Sequence, residues 1–207
     1  EKAKLLVESK LSKNVSKSEQ KYIAYFQNFT NTYGNASTLL RNWEEALSAP
    51  QIVGLAIGTR PDCLGEEILK NLSSLANKTF LQIELGLQTT NEKTAKYIRR
   101  GFLNECYFEA VQKLKKANPK IHIVTHVIFG LPGDSENDML KTVKDVISAK
   151  SDGIKITNLY ILKNTALEKD FNNNKCLPLE MNQYFDLLEK ALKIIPSNMV
   201  VHRLTGD

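Results

Sequence analysis

Residues Ile121 to Asp138 read IHIVTHVIFGLPGDSEND. The β-branched run at the start of this stretch favours a buried strand. A Gly-Leu-Pro-Gly turn ends it, and glycine there lets backbone approach a ligand closely. Asp134 or Ser135 can then cap a helix. Strand, polar loop and capped helix form the repeating step of a parallel sheet, and ligands gather where strand carboxyl ends meet such loops.

Outward from that stretch the same step recurs. Upstream, strands are expected at Lys21–Phe26, Ile52–Ile57 and Phe80–Leu87, and downstream at Gly153–Leu162, with Val200 and Val201 opening a sixth. Helical apolar spacing falls between them at Ala36–Ala49, Gly65–Ala76, Asn91–Arg99, Asn104–Ala117, Ser135–Ala149 and Glu180–Ile195. The stretch FNNNK, Phe171–Lys175, reads as an Asn-rich loop, and the opening segment to Glu19 as an exposed helix. Such alternation specifies an α/β fold, a parallel sheet wound by right-handed crossovers with helices outside. An open doubly wound sheet and a barrel both satisfy it. Polar loops at every strand end favour the barrel, as does the lack of GxGxxG after the first strand.

Length and composition narrow the class. A chain of 207 residues, 42% hydrophobic, buries one sizeable core, so residues 1–207 are expected to form a single domain. No stretch reaches the roughly 20 apolar residues of a membrane span, and no signal-peptide pattern is present, which points to a soluble, cytoplasmic protein with no membrane partner. The net charge of +5 is scattered along the chain as on a solvated surface, with a mild leaning toward anionic partners. Cys63, Cys106 and Cys176 are too few and too far apart for a disulfide framework or a CxxC metal site, so no metal ligand is assigned.

The loops at the strand ends carry the chemistry. They offer Gln27, Asn28, Thr30 and Asn31, then Arg60 and Asp62, then Glu84, Gln88 and Thr89, then His126, Gly130 and Gly133, then Asn158, Tyr160 and Asn164. Alternation along a strand puts Glu84, Gly86 and Gln88 on one face, and His126, Ile128 and Gly130 on one face of the next. Each has a plain structural alternative. Glu84 and Gln88 could pair with a neighbouring cation or cap a helix, and His126 could be an interior histidine. Arg100 could lie near a helix end, and the Gly-Leu-Pro-Gly loop could be only a turn.

Read in order, the pieces YIAYFQNFTNTYG (22–34), GLAIGTRPDCL (54–64), IELGLQTTNEKT (83–94) with RRG (99–101), HVIFGLPGDSEND (126–138) and VHRLTGD (201–207) resemble the radical S-adenosylmethionine (SAM) superfamily. More narrowly they resemble the YhcC-like group, akin to the catalytic subunit of Elongator. The resemblance spans essentially the whole chain. It implies a partial TIM-type barrel of six β/α units and a [4Fe-4S] cluster held by a Cx3Cx2C loop after the first strand. That loop is not in this sequence, so the first unit and the cluster ligands are expected upstream of Glu1, and this piece alone is expected to be inactive.

The resemblance also implies roles. Gln27 and Asn28 stand where the superfamily receives the methionine amino group, with other residues replacing the usual glycines. Gln88, with Glu84 on the same face, would meet the ribose, where an amide can both donate and accept. Arg100 matches an arginine that holds the methionine carboxylate, and the position after Gly101, often His in relatives, is Phe102 here. His126 stands where some relatives bind the ribose with Asp. Ile128 and Gly130 would face adenine, Arg60 is kept in its turn, and Gly58 replaces a frequent Glu. The implied activity is reductive cleavage of SAM, with a one-electron reductant, acting on an unknown small molecule or RNA. A phosphosugar-type barrel enzyme using the Gly-Leu-Pro-Gly loop, with His126 and Glu84 as acid and base, is the competing reading; a non-catalytic interaction domain is a third.

Overall fold

The computed structural model describes residues 20–205; the helix expected before Glu19 lies outside them. Six parallel strands form one sheet: β1 Tyr22–Phe26, β2 Ile52–Thr59, β3 Phe80–Gln88, β4 His122–Phe129, β5 Gly153–Asn158 and β6 Val200–Arg203. Helices α1 Ala36–Ser48, α2 Glu66–Lys78, α3 Glu92–Tyr97, α4 Asn104–Ala117, α5 Glu136–Ser148, α6 Ala166–Asn172 and α7 Met181–Ile194 join them. The spatial order β1-β2-β3-β4-β5-β6 follows the chain, each strand parallel to its neighbours. No reversal occurs, so there is no topological switch point, and a sheet that always advances in one direction curls toward a barrel. The result is a curled half-barrel.

Two expectations need correction. Phe171 and Asn172, the start of the anticipated Asn-rich loop, instead end a helix, α6, that also takes in residues 166–170, to which no element was given; its cap Thr165 accepts from the Glu168 amide. The fifth strand stops at Asn158 rather than Leu162: the Leu159 amide still reaches the Phe129 carbonyl, but Tyr160 and Leu162 turn out to solvent.

The two faces of the sheet differ in kind. One carries Leu55, Ile57, Leu81, Ile83, Leu85, Ile123, Val127, Phe129, Ile154 and Ile156, all at 0–1% exposure under the helices. Leu72, Leu75, Leu114 and Val143 meet them from the helix side, joined by Trp43 of α1. Each fully buried aliphatic contributes about 1.5–3 kcal/mol, so this layer holds the sheet. The alternate residues point the other way, into the concave lumen: Tyr25, then Gly54, Ala56 and Gly58, then Gln82, Glu84 and Gly86, then His126 and Ile128, then Gly153, Lys155 and Thr157. That inner face is polar, and β2 presents almost no side chain to it.

Helix α5 starts as the sequence suggested. Ser135 is the cap: its Oγ accepts from the Asp138 amide, and the Asp138 carboxylate accepts from the Ser135 amide at 2.9 Å. This reciprocal box uses the first amides of the helix and puts a carboxylate at its positive end. An anionic phosphate there would meet Asp138 and Glu136, so the phosphate-cradle reading of the Gly-Leu-Pro-Gly loop loses its physical basis.

Candidate functional site

The lumen is organised by Glu84, near the middle of β3 and 2% exposed. Four donors from four strands share its two oxygens. Oε1 accepts from Gln82 Nε2 and from Lys155 Nζ, each at 2.6 Å. Oε2 accepts from Tyr25 OH at 2.5 Å and lies 2.7 Å from His126 Nε2. Burial alone would raise this carboxyl pKa; the hydrogen bonds from His126, Lys155 and Tyr25 outweigh it and hold Glu84 at about 2. Glu84 is therefore ionised at neutral pH and its lone pairs are taken.

Curvature makes this meeting possible. In a flat sheet β1 and β5 would stand roughly 19 Å apart, four strand spacings, yet Lys155 Nζ lies 3.4 Å from Tyr25 OH and 5.0 Å from the centre of its ring. Tyr25 reaches β3 by crossing β2, and register places Ala56 and Gly58 under that path. Larger residues at those positions would block it.

Above this layer, toward the strand carboxyl ends, a cavity of about 350 Å³ opens. Tyr25, Gln27, His126, Ile128, Lys155, Thr157, Asn158, Leu159, Tyr160 and Arg203 line it. Its walls are mixed, apolar on the Ile128 and Leu159 side and hydrogen-bonding elsewhere, the usual make-up of a small-molecule site. Of the expected ligand residues, the structure brings Gln27, His126 and Ile128 to this cavity, with Glu84 beneath. Asn28 sits in the exposed turn after β1, beside Phe29 at φ +62°. Gly130, at φ +84°, faces Leu179, whose Cγ would be 3.0 Å from an added Cβ, so its missing side chain already serves packing.

Gln88 ends β3 at a register shift opposite Val127, with φ +66°. A non-glycine residue in that region costs about 1 kcal/mol or more and is held by its surroundings. The side chain folds back over Gly86, where a Cβ would lie 2.7 Å from its amide nitrogen. With the amide turned over, the nitrogen takes the opposite position and donates to the Leu87 and Gly86 carbonyls at 2.9 and 3.2 Å, leaving the oxygen over Gly86.

What holds Gln88 is Arg100. Its side chain is 2% exposed, and all five N–H groups are engaged. Nη1 donates to the Thr89 carbonyl at 2.6 Å, to Asn104 Oδ1 at 3.0 Å and to the Leu87 carbonyl at 3.3 Å, gripping the chain on both sides of Gln88. Nε and Nη2 donate to the Phe102 carbonyl at 3.0 and 2.8 Å, and Nη2 also reaches Glu92 at 3.4 Å. To hold a ligand carboxylate, the role expected of it, Arg100 would have to release these partners. Arg60 lies outside it, paired with Asp62 at 2.6 Å and donating to the Arg100 carbonyl at 3.1 Å. Both guanidinium groups face the Phe102 ring, at 5.4 and 4.5 Å. The two arginines thus form a rim cluster apart from the lumen.

The cysteines Cys63, Cys106 and Cys176 are free thiols, and among the described residues no group of three or more His, Cys, Asp or Glu side chains could hold a metal. The [4Fe-4S] cluster does not fit on these residues.

The sequence profile described as the Radical SAM superfamily matches residues 10–146, and that of the Radical_SAM C-terminal domain matches 151–207. The chain belongs to the radical SAM superfamily. Members of that family use SAM and a [4Fe-4S] cluster. Among curated relatives, Uncharacterized protein YtqA of Bacillus subtilis (strain 168) is 42% identical over 187 residues, 90% of this chain and 58% of that protein. Protein YhcC of Escherichia coli (strain K12) is 31% identical over 195 residues, 94% of this chain and 62% of its own length. A tRNA uridine(34) acetyltransferase of Methanocaldococcus jannaschii is 28% identical over 158 residues, 75% of this chain and 28% of that protein. The chain therefore spans about three fifths of the first two relatives. A solved Elp3 of Methanocaldococcus infernus with an N-terminal deletion superposes with TM-score 0.80 at 21% identity, over 99% of this chain and 51% of its own, which shows the shared fold. No helix among the described residues is long and apolar enough to cross a membrane.

Proposed function

We propose that this chain is the SAM-binding core of a radical enzyme. The observation that carries this reading is the lumen of a family half-barrel, open at the strand carboxyl ends, with Gln88 held at a left-handed backbone conformation where β3 ends. When bound beside a reduced cluster, SAM supplies a hydrogen-abstracting group to the lumen. The chain's own residues bind, orient and keep water out. Gln88, pinned by Arg100, presents its amide to the ribose diol, and Gln27 meets the amino-acid end. Ile128 and Leu159 form an apolar wall for adenine, with Tyr160 at the mouth. The cluster and its electron donor come from outside the described residues.

The similarity to a tRNA-modifying acetyltransferase makes an RNA base the first substrate class to test. The chain's basic balance agrees with this, and a small molecule is the alternative.

Binding tests the assignment of Gln88. In protein expressed from the whole gene and carrying its cluster, Gln88→Ala weakens SAM binding about tenfold, the loss of roughly one good hydrogen-bonding contact. Gln88→Gly weakens it as much while stabilising the fold by up to about 1 kcal/mol, because glycine adopts φ +66° without strain. Calorimetric titration with unchanged affinity in both variants would place the ribose elsewhere.

A further inference from the structure

Glu84 and His126 do more than shape a wall. Glu84 is ionised at neutral pH and can only accept, so the hydrogen between Glu84 Oε2 and His126 Nε2, 2.7 Å apart, belongs to the imidazole. A neutral ring protonated at Nε2 carries its lone pair on Nδ1. Among the described residues Nδ1 has no partner, and the ring is 35% exposed where it lines the lumen cavity. Beside it, Lys155 spends two of its three N–H groups on Glu84 and Tyr25 and also lines the cavity.

We propose that His126 is a proton-transfer residue for the substrate and Glu84 its positioning residue, with Nδ1 taking a proton from a substrate O–H or N–H beside the carbon that loses hydrogen. The proposal rests on the radical reading above for the event that makes such a proton acidic: removing hydrogen from a carbinol or amine carbon leaves a radical whose adjacent O–H or N–H ionises far more readily. In the step itself the substrate O–H or N–H bond breaks, an Nδ1–H bond forms, and no electron moves between partners. The imidazolium so formed stands against the Glu84 carboxylate, which offsets its charge. Lys155, at the same carboxylate, offers its remaining N–H to the oxygen or nitrogen left negative. The substrate class is thus an alcohol or amine, or a base or sugar carrying such a group.

Other charged and titratable groups face this pair from neighbouring strands. Tyr25 comes from β1 and Lys155 from β5. His202 comes from β6, its Nε2 3.1 Å from that of His122 on β4, and Arg203 lines the same cavity. None of them supplies a second carboxylate to His126, so its tautomer depends on Glu84 alone.

Nitrogen-15 NMR of the histidine-labelled chain, without cofactor, tests the proposal. Only three histidines contribute signals, and His126→Gln assigns the one in question. The readout is the tautomer of the neutral ring, and the expected result is Nε2–H with an unprotonated Nδ1. In Glu84→Gln, Lys155 retains the amide oxygen and the amide nitrogen turns toward His126, so the ring must accept at Nε2 and its proton moves to Nδ1. If that variant does not fold, Tyr25→Phe, which leaves Oε2 to His126, keeps the Nε2–H form. An Nδ1–H ring in the wild type or in Tyr25→Phe, or an Nε2–H ring retained in folded Glu84→Gln, overturns the proposal. Because the reading needs no SAM and no cluster, its failure is separate from failure of the radical assignment.

Discussion

Glu84→Leu lowers the unfolding free energy of the chain by about 3–5 kcal/mol, the usual consequence of deleting one partner of a buried ion pair. The leucine fills the space but leaves Lys155, 15% exposed at its side chain, with an uncompensated charge, and leaves Tyr25, His126 and Gln82 without their acceptor. Against a typical total of 5–15 kcal/mol that loss brings the protein close to unfolding. Urea denaturation followed by circular dichroism measures it. The double change Glu84→Leu with Lys155→Leu recovers part of the loss, since two apolar residues replace a pair that had to be desolvated. A single-variant cost below about 1 kcal/mol would mean the lumen network does not tie the strands together.

The same residue sets an acid limit. The Glu84 carboxyl has an ordinary value of 4.5 and is held at about 2 in the fold. A carboxyl depressed on folding stabilises fully above its unfolded value, and the contribution is lost as pH falls through the folded value. Its share, on the order of 3 kcal/mol, is present above about pH 4.5 and disappears as pH approaches about 2. Glu84→Leu lacks this component and loses correspondingly less stability across that interval.

Arg100→Ala costs about 3 kcal/mol or more, because it strips donors from the buried Leu87 and Thr89 carbonyls, each worth about 1–3 kcal/mol when left unpaired, and from the part-buried Phe102 carbonyl. Arg100→Lys recovers less than half, since one ammonium cannot span both sides of Gln88 and the Phe102 turn as a planar guanidinium does. The effect reaches function through Gln88: once its neighbours are released the residue leaves its left-handed conformation, and SAM affinity falls with stability. Retained stability in Arg100→Ala would place the arginine in the ligand site rather than in the frame around it.

Much of the fold was legible because a parallel sheet repeats one pattern. The alternation that buries Leu81, Ile83 and Leu85 while turning Gln82, Glu84 and Gly86 inward is written in the residues of β3. Helix α6 was hidden by its polar, Asn-rich surroundings, although Thr165 followed three residues later by Glu168 is a readable start signal. The site was legible only by strand. Glu84 and His126 stood out, whereas Tyr25, Gln82 and Lys155 did not, since their meeting depends on how five strands curl. Two charges of opposite sign at inward positions of otherwise apolar strands, Glu84 in FLQIELGL and Lys155 in GIKITN, were the available signal. Arg100 was visible as important, but not its direction: spacing places an arginine near a loop and does not say whether it faces ligand or backbone.

The most direct test of the radical assignment is product release. Protein expressed from the whole gene, reconstituted with iron and sulfide without oxygen and shown by spectroscopy to carry a [4Fe-4S] cluster, is reduced in the presence of SAM and assayed for 5'-deoxyadenosine. Release of 5'-deoxyadenosine and methionine in equal amounts is the predicted result; a reduced, cluster-loaded protein that leaves SAM intact would contradict it.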